Sequence, residues 1–465
     1  MNLGMPTMTR KTAAGLILTI LLPLLVMLYP GDIGAVPRLA LALSLATIVL
    51  WTFEPVPLEY SSLLMIVLFP VLGVLPFETA FGPFSSKTVW LIFAGMALSL
   101  GITETPLGTR ISRLVLGRIA SLNGLILALH VLGMLSALLI PSGVVRILIL
   151  MPLIVTLLRT LGEPPGSRVS AALILSLACS TYYGGTGVLT ASVPSLVVFG
   201  VLESRDITVY WGQWTLYLFP VFSLCRVACC YALIRLLLPL RGAARIPSKP
   251  HMDADVPDRV TPAEKKTLCI LLAGIMLWAT DALHGIHPAY VGLGLVLACY
   301  LPGLGPLHPD LLKKINFPLL IYIAAAFSVG HALETTGFSP LLANQFTEWL
   351  GRFDGSLLTQ LGVLSAFILP FNFMADTAAV AAILTPVLLD VAAQTGMAPL
   401  PAALCMAIVA SCGFFPYQAA PFILAYSFRY VHMGQFIRLM VLLALISLLL
   451  LLPLNFLYWR LIGFI

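Results

Sequence analysis

Apolar runs of about 20 residues recur along this chain, separated by Pro, Gly or short polar stretches, and that is the length a helix needs to cross the hydrocarbon core of a bilayer. The runs are continuous in Leu, Ile, Val and Ala. Barrel strands would be short and alternating, so backbone of this pattern closes its hydrogen bonds in lipid as helices. The pattern predicts spans near 13–30, 36–53, 58–76, 124–160, 168–183, 191–203 and 213–240, and then near 265–283, 288–302, 357–396, 399–412, 419–428 and 434–461. Two of them, 124–160 and 357–396, are too long for one simple crossing. Each is interrupted near its middle by Pro, Gly and polar residues and reads as a broken transmembrane helix.

A polar gap divides the chain into a first half, 1–240, a linker, 241–266, and a second half, 267–465. The halves resemble each other. Segment 90–101, with Ser99 near its end and Glu104-Thr105 after it, matches 319–330, with Ser328 and then Glu334-Thr335. Segment 142–152 matches 376–386, and Pro194 matches Pro421. Three matches in the same order at nearly one spacing are an internal repeat. An odd number of spans between the copies inverts the second one, an arrangement common in transporters that bind near mid-membrane. Segments 85–110 and 314–340 are apolar, carry small and polar residues in mid-run and end in Glu-Thr. They read either as plain crossing helices with a polar end or as re-entrant helical hairpins, which lipid tolerates only inside protein or along a cavity. Their paired recurrence favours hairpins. The expected fold is an all-α polytopic membrane protein of two inverted repeats, each with a re-entrant hairpin and a broken transmembrane helix.

Composition agrees and narrows the function. The chain is 60% hydrophobic and 9% charged, against roughly 25% charged in an ordinary soluble protein. The net charge of +6 does not point to nucleic acid. Arg10 and Lys11 precede the first span, and Arg241, Arg245, Lys249, Arg259, Lys265 and Lys266 crowd the linker, which puts the N-terminus and linker on the cytoplasmic side. The eight cysteines lie in or beside apolar segments without a CxxC pair and read as reduced thiols. No phosphate-binding Gly loop, nucleophile signature or metal-ligand spacing occurs, so an enzyme is not expected.

Ionisable residues inside a membrane are costly and usually functional. Arg146, Asp376 and Arg226 are the candidates. The first broken helix carries Pro141-Ser142-Gly143, the second Pro370 to Asp376. At such breaks the N–H groups of a half-helix N-terminus can face an anion, and opposing carbonyls a cation. Arg146 lies one turn beyond Ser142. It either offers a bidentate fork to a carboxylate or sulfate or pairs internally with Asp376. Asp376 either couples a cation or proton to transport or caps the half-helix after it. Arg226 reads as snorkelling or paired with a carbonyl. Two glycine- and proline-containing stretches, 184–195 and 412–421, interrupt matched spans and serve either ligand approach or close helix packing. Asp281, His284 and His287, before Pro288, look like an interface turn.

These pieces together resemble the divalent anion/sodium symporter (DASS) family over most of the chain. Carrying segments include Phe53-Glu54-Pro55-Val56-Pro57-Leu58, Val89-Trp90-Leu91-Ile92-Phe93-Ala94-Gly95, Lys314-Ile315-Asn316-Phe317-Pro318-Leu319-Leu320, Leu283-His284-Gly285-Ile286-His287-Pro288 and the closing helix 434–461. The resemblance implies a homodimer with a scaffold domain and a transport domain that moves as an elevator. It implies dicarboxylate, citrate or sulfate-like substrates, often with Na⁺, and a bacterial inner or other plasma membrane. The family's Ser-Asn-Thr motif corresponds here to Ser142-Gly143-Val144 and to Asp376-Thr377-Ala378, with a one-residue shift to Ala375-Asp376-Thr377 open. Its Thr-Pro-Pro-Asn stretch corresponds to Ser192-Val193-Pro194-Ser195 and Ala419-Ala420-Pro421-Phe422. The substrate site implied is Ser142, Gly143, Val144, Arg146, Thr186, Ser192, Asp376, Thr377, Ala378 and Ala419, with Ser142, Gly143, Asp376 and Thr377 also at cation sites. The expectation is a secondary active transporter of small divalent anions, coupled to Na⁺ or H⁺ or exchanging, with no other cofactor. Its partners are the anion, membrane lipid and a second copy. An anion-selective channel is the rival, since re-entrant hairpins also build selectivity filters.

Overall fold

A computed structural model describes residues 10–29, 31, 33–116, 119, 121–240, 259–353, 355–373 and 376–465; most of the expected linker, 241–258, and Ala375 of the shifted motif lie outside the described residues. Every regular element described is helical. The chain opens with α1 (Arg10–Leu28), α2 (Ala35–Phe53), α3 (Leu58–Val71) and the short α4 (Phe77–Phe81). A first series follows, α5 (Lys87–Thr103), α6 (Leu107–Leu116), α7 (Leu122–Leu139), α8 (Gly143–Thr160), α9 (Arg168–Gly184) and α10 (Val193–Ser204), closed by α11 (Trp211–Leu218) and α12 (Arg226–Leu237) around a π-helical Phe219–Cys225. After α13 (Pro262–Ala279), α14 (Asp281–His284) and α15 (Pro288–Tyr300) comes a second series, α16 (Phe317–Thr335), α17 (Phe338–Leu350), α18 (Leu357–Asn372), α19 (Thr377–Thr395), α20 (Pro399–Ala410) and α21 (Ala420–Ser427). It closes with α22 (Met433–Ile446) and α23 (Leu452–Leu461) around a π-helical Ser447–Leu451. The two series repeat one order of elements. Seven helices among the described residues are long and apolar enough to cross a membrane.

The supposed broken helices are longer than half-helices. In 124–160, α7 and α8 have 18 residues each. Ile140 and Ser142 between them are extended (φ −120°, ψ 105° and φ −117°, ψ 118°), and the Ser142 hydroxyl accepts the N–H of Val145 at 3.4 Å, which starts a new helix. In 357–396, α18 has 16 residues and α19 has 19. Each region is therefore two long apolar helices joined by a short tip. Segments 85–110 and 314–340 run as continuous helix through their polar middles. The hydroxyl of Ser99 donates to the carbonyl of Gly95 at 2.7 Å, and that of Ser328 is shared between the carbonyls of Ala80 at 2.6 Å and Ala324 at 2.9 Å, so neither breaks its helix. A side chain that bonds its own preceding turn carries no unmet polar group into lipid. The chain turns at the polar ends, before α6 and α17, and at the start of the first segment Phe77–Ser85 and Lys87–Thr103 meet at a bend of 40° about Ser86.

The helices sort into two compact units, one of residues up to 89 plus 316–406, the other of 90–315 plus 407–465. Each takes helices from both sequence halves, so the units do not follow the 1–240 and 267–465 division. In the first unit α19 is central, with 14 of its 19 residues buried, and it packs on α16, α17 and α18. In the second unit α9 is central, with 15 of its 17 residues buried, among α7, α8, α12 and α21. Helices hydrophobic all round are those a fold encloses. At one edge of this unit Arg110 of α6 meets Glu264, just before the span at 265, at 2.7 Å. The guanidinium holds the Glu264 carboxyl below the usual carboxylate range.

Candidate functional site

Of the ten residues expected at the substrate site, seven lie in the second unit, grouped around the tip between α7 and α8. Arg146, one turn into α8, is 1% exposed. Its Nη1 donates to the carbonyl of Thr181 at 2.7 Å, its Nη2 to that of Ala191 at 2.6 Å, and its Nε to that of Ser142 at 3.3 Å. Thr181 is in the last turn of α9, whose carbonyls have no partner within the helix, and Ala191 ends the irregular stretch before α10. The guanidinium thus ties the tip to both edges of the 185–192 interruption. Gly185 makes room for it: a methyl there would sit 3.0 Å from Nη2 and 3.1 Å from Nη1. Thr186 is buried inside this interruption, and its carbonyl accepts from the indole of Trp214 at 3.4 Å. Gly143, at the start of α8, packs against Pro421 at the start of α21, next to Ala419. The N-termini of α8, α10 and α21 therefore gather about one buried guanidinium. No ion pair to Arg146 occurs among the described residues. Ser142, Val144 and Ser192 are partly exposed here, and the Ser192 side chain makes no capping bond.

Asp376, Thr377 and Ala378 lie in the first unit, at the tip between α18 and α19. Asp376 is the N-cap of α19: its Oδ1 accepts the N–H of Ala378 at 2.9 Å and the hydroxyl of Tyr322, from α16, also at 2.9 Å. Tyr322 is 4% exposed and stands edge-on to Trp51 with ring centroids 4.9 Å apart. The Trp51 indole donates to the Ser62 hydroxyl at 3.0 Å, so α2 and α3 fix the tyrosine that holds the aspartate. Thr377 and Ala378 are buried. No cation is paired to Asp376 among the described residues. Tyr322 was missing from the expected site, although its repeat position marked it: it replaces Phe93 of the first copy, a hydroxyl gained opposite the one tip that carries a carboxylate.

Arg226 repeats the first tip's device in the second interruption. Fully buried, it donates from Nη1 to the Ser411 hydroxyl at 2.8 Å and from Nη2 to the Ser411 carbonyl at 3.1 Å, just past the end of α20, with its guanidinium 4.0 Å above the Tyr183 ring. The carbonyl pairing expected of it is what the geometry shows. Cations at helix C-termini complement the negative end of the dipole. Asp281 is 1% exposed, and its Oδ2 accepts the N–H of Trp211 at 2.6 Å, anchoring the start of α11. The 281–287 turn is thus partly interior.

The model of the sodium:sulfate symporter transmembrane region matches residues 10–465. The chain belongs to this family. The symporter family's signature covers both series of helices and both tips, which makes this chain a multi-pass integral membrane transporter and not an enzyme. Named relatives agree. An L-tartrate/succinate antiporter of Escherichia coli is 24% identical over 397 residues, 79% of this chain and 77% of its own length. A Haemophilus influenzae protein described as an uncharacterized transporter is 23% identical over 444 residues, 90% of this chain and 91% of that one. A membrane protein of Cupriavidus necator is 23% identical over 402 residues, 80% of this chain and 76% of the relative. The YdaH transporter of Alcanivorax borkumensis matches 98% of this chain and 99% of its own with 17% identity and a TM-score of 0.47; a likeness at that score decides nothing further.

Proposed function

We propose that this chain is a secondary active transporter of a small divalent anion, a dicarboxylate or a citrate- or sulfate-like ion, in a bacterial inner membrane. One observation carries the reading: three helix N-termini in the second unit converge on a buried guanidinium that no acid among the described residues neutralises. Each N-terminus offers roughly half a positive charge, and together with Arg146 they make a fixed, positive field. Such a field suits an anion that loses its water at mid-membrane. Arg146 has three donors engaged with carbonyls, so its part is charge and scaffold, while Ser142, Gly143, Val144, Thr186, Ser192 and Ala419 offer the contacts. The family's name and the tartrate and succinate of the E. coli relative support the anion class.

The coupling ion belongs at the other tip. A guanidinium 3.3 Å from the Ser142 carbonyl opposes a cation at Ser142 and Gly143, whereas the Asp376 carboxylate beside Thr377 brings negative charge and has no cation paired to it among the described residues. Na⁺ or H⁺ is bound there, or the chain exchanges one anion for another. The motion is an elevator stroke in a homodimer, by the family resemblance. Proteoliposomes given labelled succinate, tartrate, citrate or sulfate under separately imposed Na⁺, H⁺ and counter-anion gradients test this. Saturable, gradient-driven uptake of at least one dianion is expected. No saturable flux of any of the four overturns the reading.

A further inference from the structure

Away from both tips, two loops of the second unit clasp each other, and beside an apolar cavity the clasp gathers basic residues that have no ion pair among the described residues. The loop between α8 and α9 and the loop between α21 and α22, with the helix ends beside them, meet through three bonds: Gly166 N–H to the Tyr430 carbonyl at 3.1 Å, Gln435 Nε2 at the start of α22 to the Gly166 carbonyl at 3.5 Å, and Arg159 Nε at the end of α8 to the Tyr430 hydroxyl at 3.3 Å. Arg159 and Arg168 flank the first loop. Arg429 lies in the second, and Arg438 follows Gln435 by one helical turn. All four are exposed, and Glu163 is the one acid in the two stretches 159–168 and 427–438. Arg438 and Gln435 rim a cavity of about 50 Å³ whose other walls are Leu175, Ile234, Leu237, Leu238 and Leu439, from α9, α12 and α22. Leu238 stands three residues before Arg241, where the basic linker begins, so this corner is on the linker's side of the membrane.

The combination selects its ligand. A free phosphate ion gains nothing from five leucine and isoleucine walls, and an apolar chain alone gains nothing from four arginines. A phospholipid with a net negative headgroup satisfies both: its phosphodiester meets the arginines at headgroup depth, and the end of an acyl chain fills the cavity. Basic pockets between transmembrane helices recognise anionic headgroups by the same physics, with each Lys or Arg near the surface adding about fivefold in affinity. We propose that the clasp of α8–α9 and α21–α22, with the leucine-lined cavity beside Arg438, is a binding site for an anionic phospholipid of the linker-side leaflet. The site does not depend on which anion the protein transports.

The test is native mass spectrometry of the purified full chain, titrated with dioleoylphosphatidylglycerol, with dioleoylphosphatidylcholine, and with phosphatidylglycerol in the presence of inorganic phosphate. Arg429 has a left-handed backbone (φ 60°), which Asn tolerates better than most residues, so Arg429→Asn and Arg438→Gln remove charge without disturbing the loop. Expected is saturable binding of phosphatidylglycerol at least tenfold tighter than phosphatidylcholine, weakened about fivefold by each variant and unchanged by Lys313→Gln elsewhere in the same unit. Equal binding of the two lipids, or phosphatidylglycerol binding untouched by both arginine variants, overturns the proposal. So does displacement of the lipid by inorganic phosphate, which would make this a simple anion site.

Discussion

The two tips follow one backbone plan and carry opposite chemistry. Each joins two long apolar helices, and each begins its second helix with a side-chain cap, Ser142 in one and Asp376 in the other. Around the first tip the buried charge is a guanidinium, held by the carbonyls of Ser142, Thr181 and Ala191. Around the second the charge is a half-buried carboxylate, held by a tyrosine hydroxyl and a helix N–H. Each charge is satisfied by neutral dipoles of its own unit. At the membrane edge the same chain pairs Arg110 with Glu264 directly. An internal ion pair cancels its own field, whereas a charge held by dipoles keeps a field that a mobile ion can answer. On the function proposed above, two similar tips thus become two sockets, and a few substitutions set the sign of the charge at each.

The comparison breaks first at Arg146. Arg146→Gln leaves the Thr181 and Ala191 carbonyls buried without donors, and a loss of about 3 kcal/mol or more is expected, read as a lowered thermal midpoint in detergent. Adding Asp376→Asn should not restore it, since the partners of Arg146 are carbonyls; the two losses should add within about 0.5 kcal/mol. Recovery in the double variant would show an ion pair instead. Tyr322→Phe removes one donor from a carboxylate and should lower stability by about 2 kcal/mol, while the equivalent first-copy change, Phe93→Tyr, should give no matching gain. Gly185→Ala brings a methyl against the guanidinium and should lower stability by about 1–2 kcal/mol, with less effect in an Arg146→Gln background. The smallest effect sharpens the contrast with the edge pair. Because the Glu264 carboxyl is held below its ordinary value by Arg110, its contribution is present at neutral pH and fades as pH falls below about 4 toward the folded value. The difference in thermal midpoint between the unmodified chain and Glu264→Gln should therefore shrink below about pH 4.

Much of the architecture was legible in the chain, because span length and repeat are written in local hydrophobicity. The spans at 36–53, 168–183 and 399–412 fall on α2, α9 and α20 within a few residues. The middles of 85–110 and 314–340 misled, since Ser99 and Ser328 look like breaks until their hydroxyls are seen to bond the preceding turn. The π-helical stretches were missed, although Pro220 and Pro453, each lacking a backbone donor, mark where the regular ladder fails. At the first tip, Arg146 stood out as a charge in an apolar run, but its partners did not, because a backbone carbonyl 35 or 45 residues away leaves no signature in residue type. At the second, Asp376 was visible and Tyr322 was hidden 54 residues upstream, betrayed only by the Phe93-to-Tyr322 difference between copies.

The central claim is that this chain moves a dianion across the membrane by alternating access, and counterflow tests it most directly. Proteoliposomes containing the purified chain are loaded with excess unlabelled succinate, or with tartrate, citrate or sulfate if succinate is not carried, and diluted into a trace of the same labelled anion. The label should rise transiently above its external concentration, saturate with external anion, and be abolished when the internal anion is omitted and no Na⁺ or H⁺ gradient is applied. Label that merely equilibrates, at a rate linear in concentration and indifferent to what lies inside, would describe a channel and contradict the account.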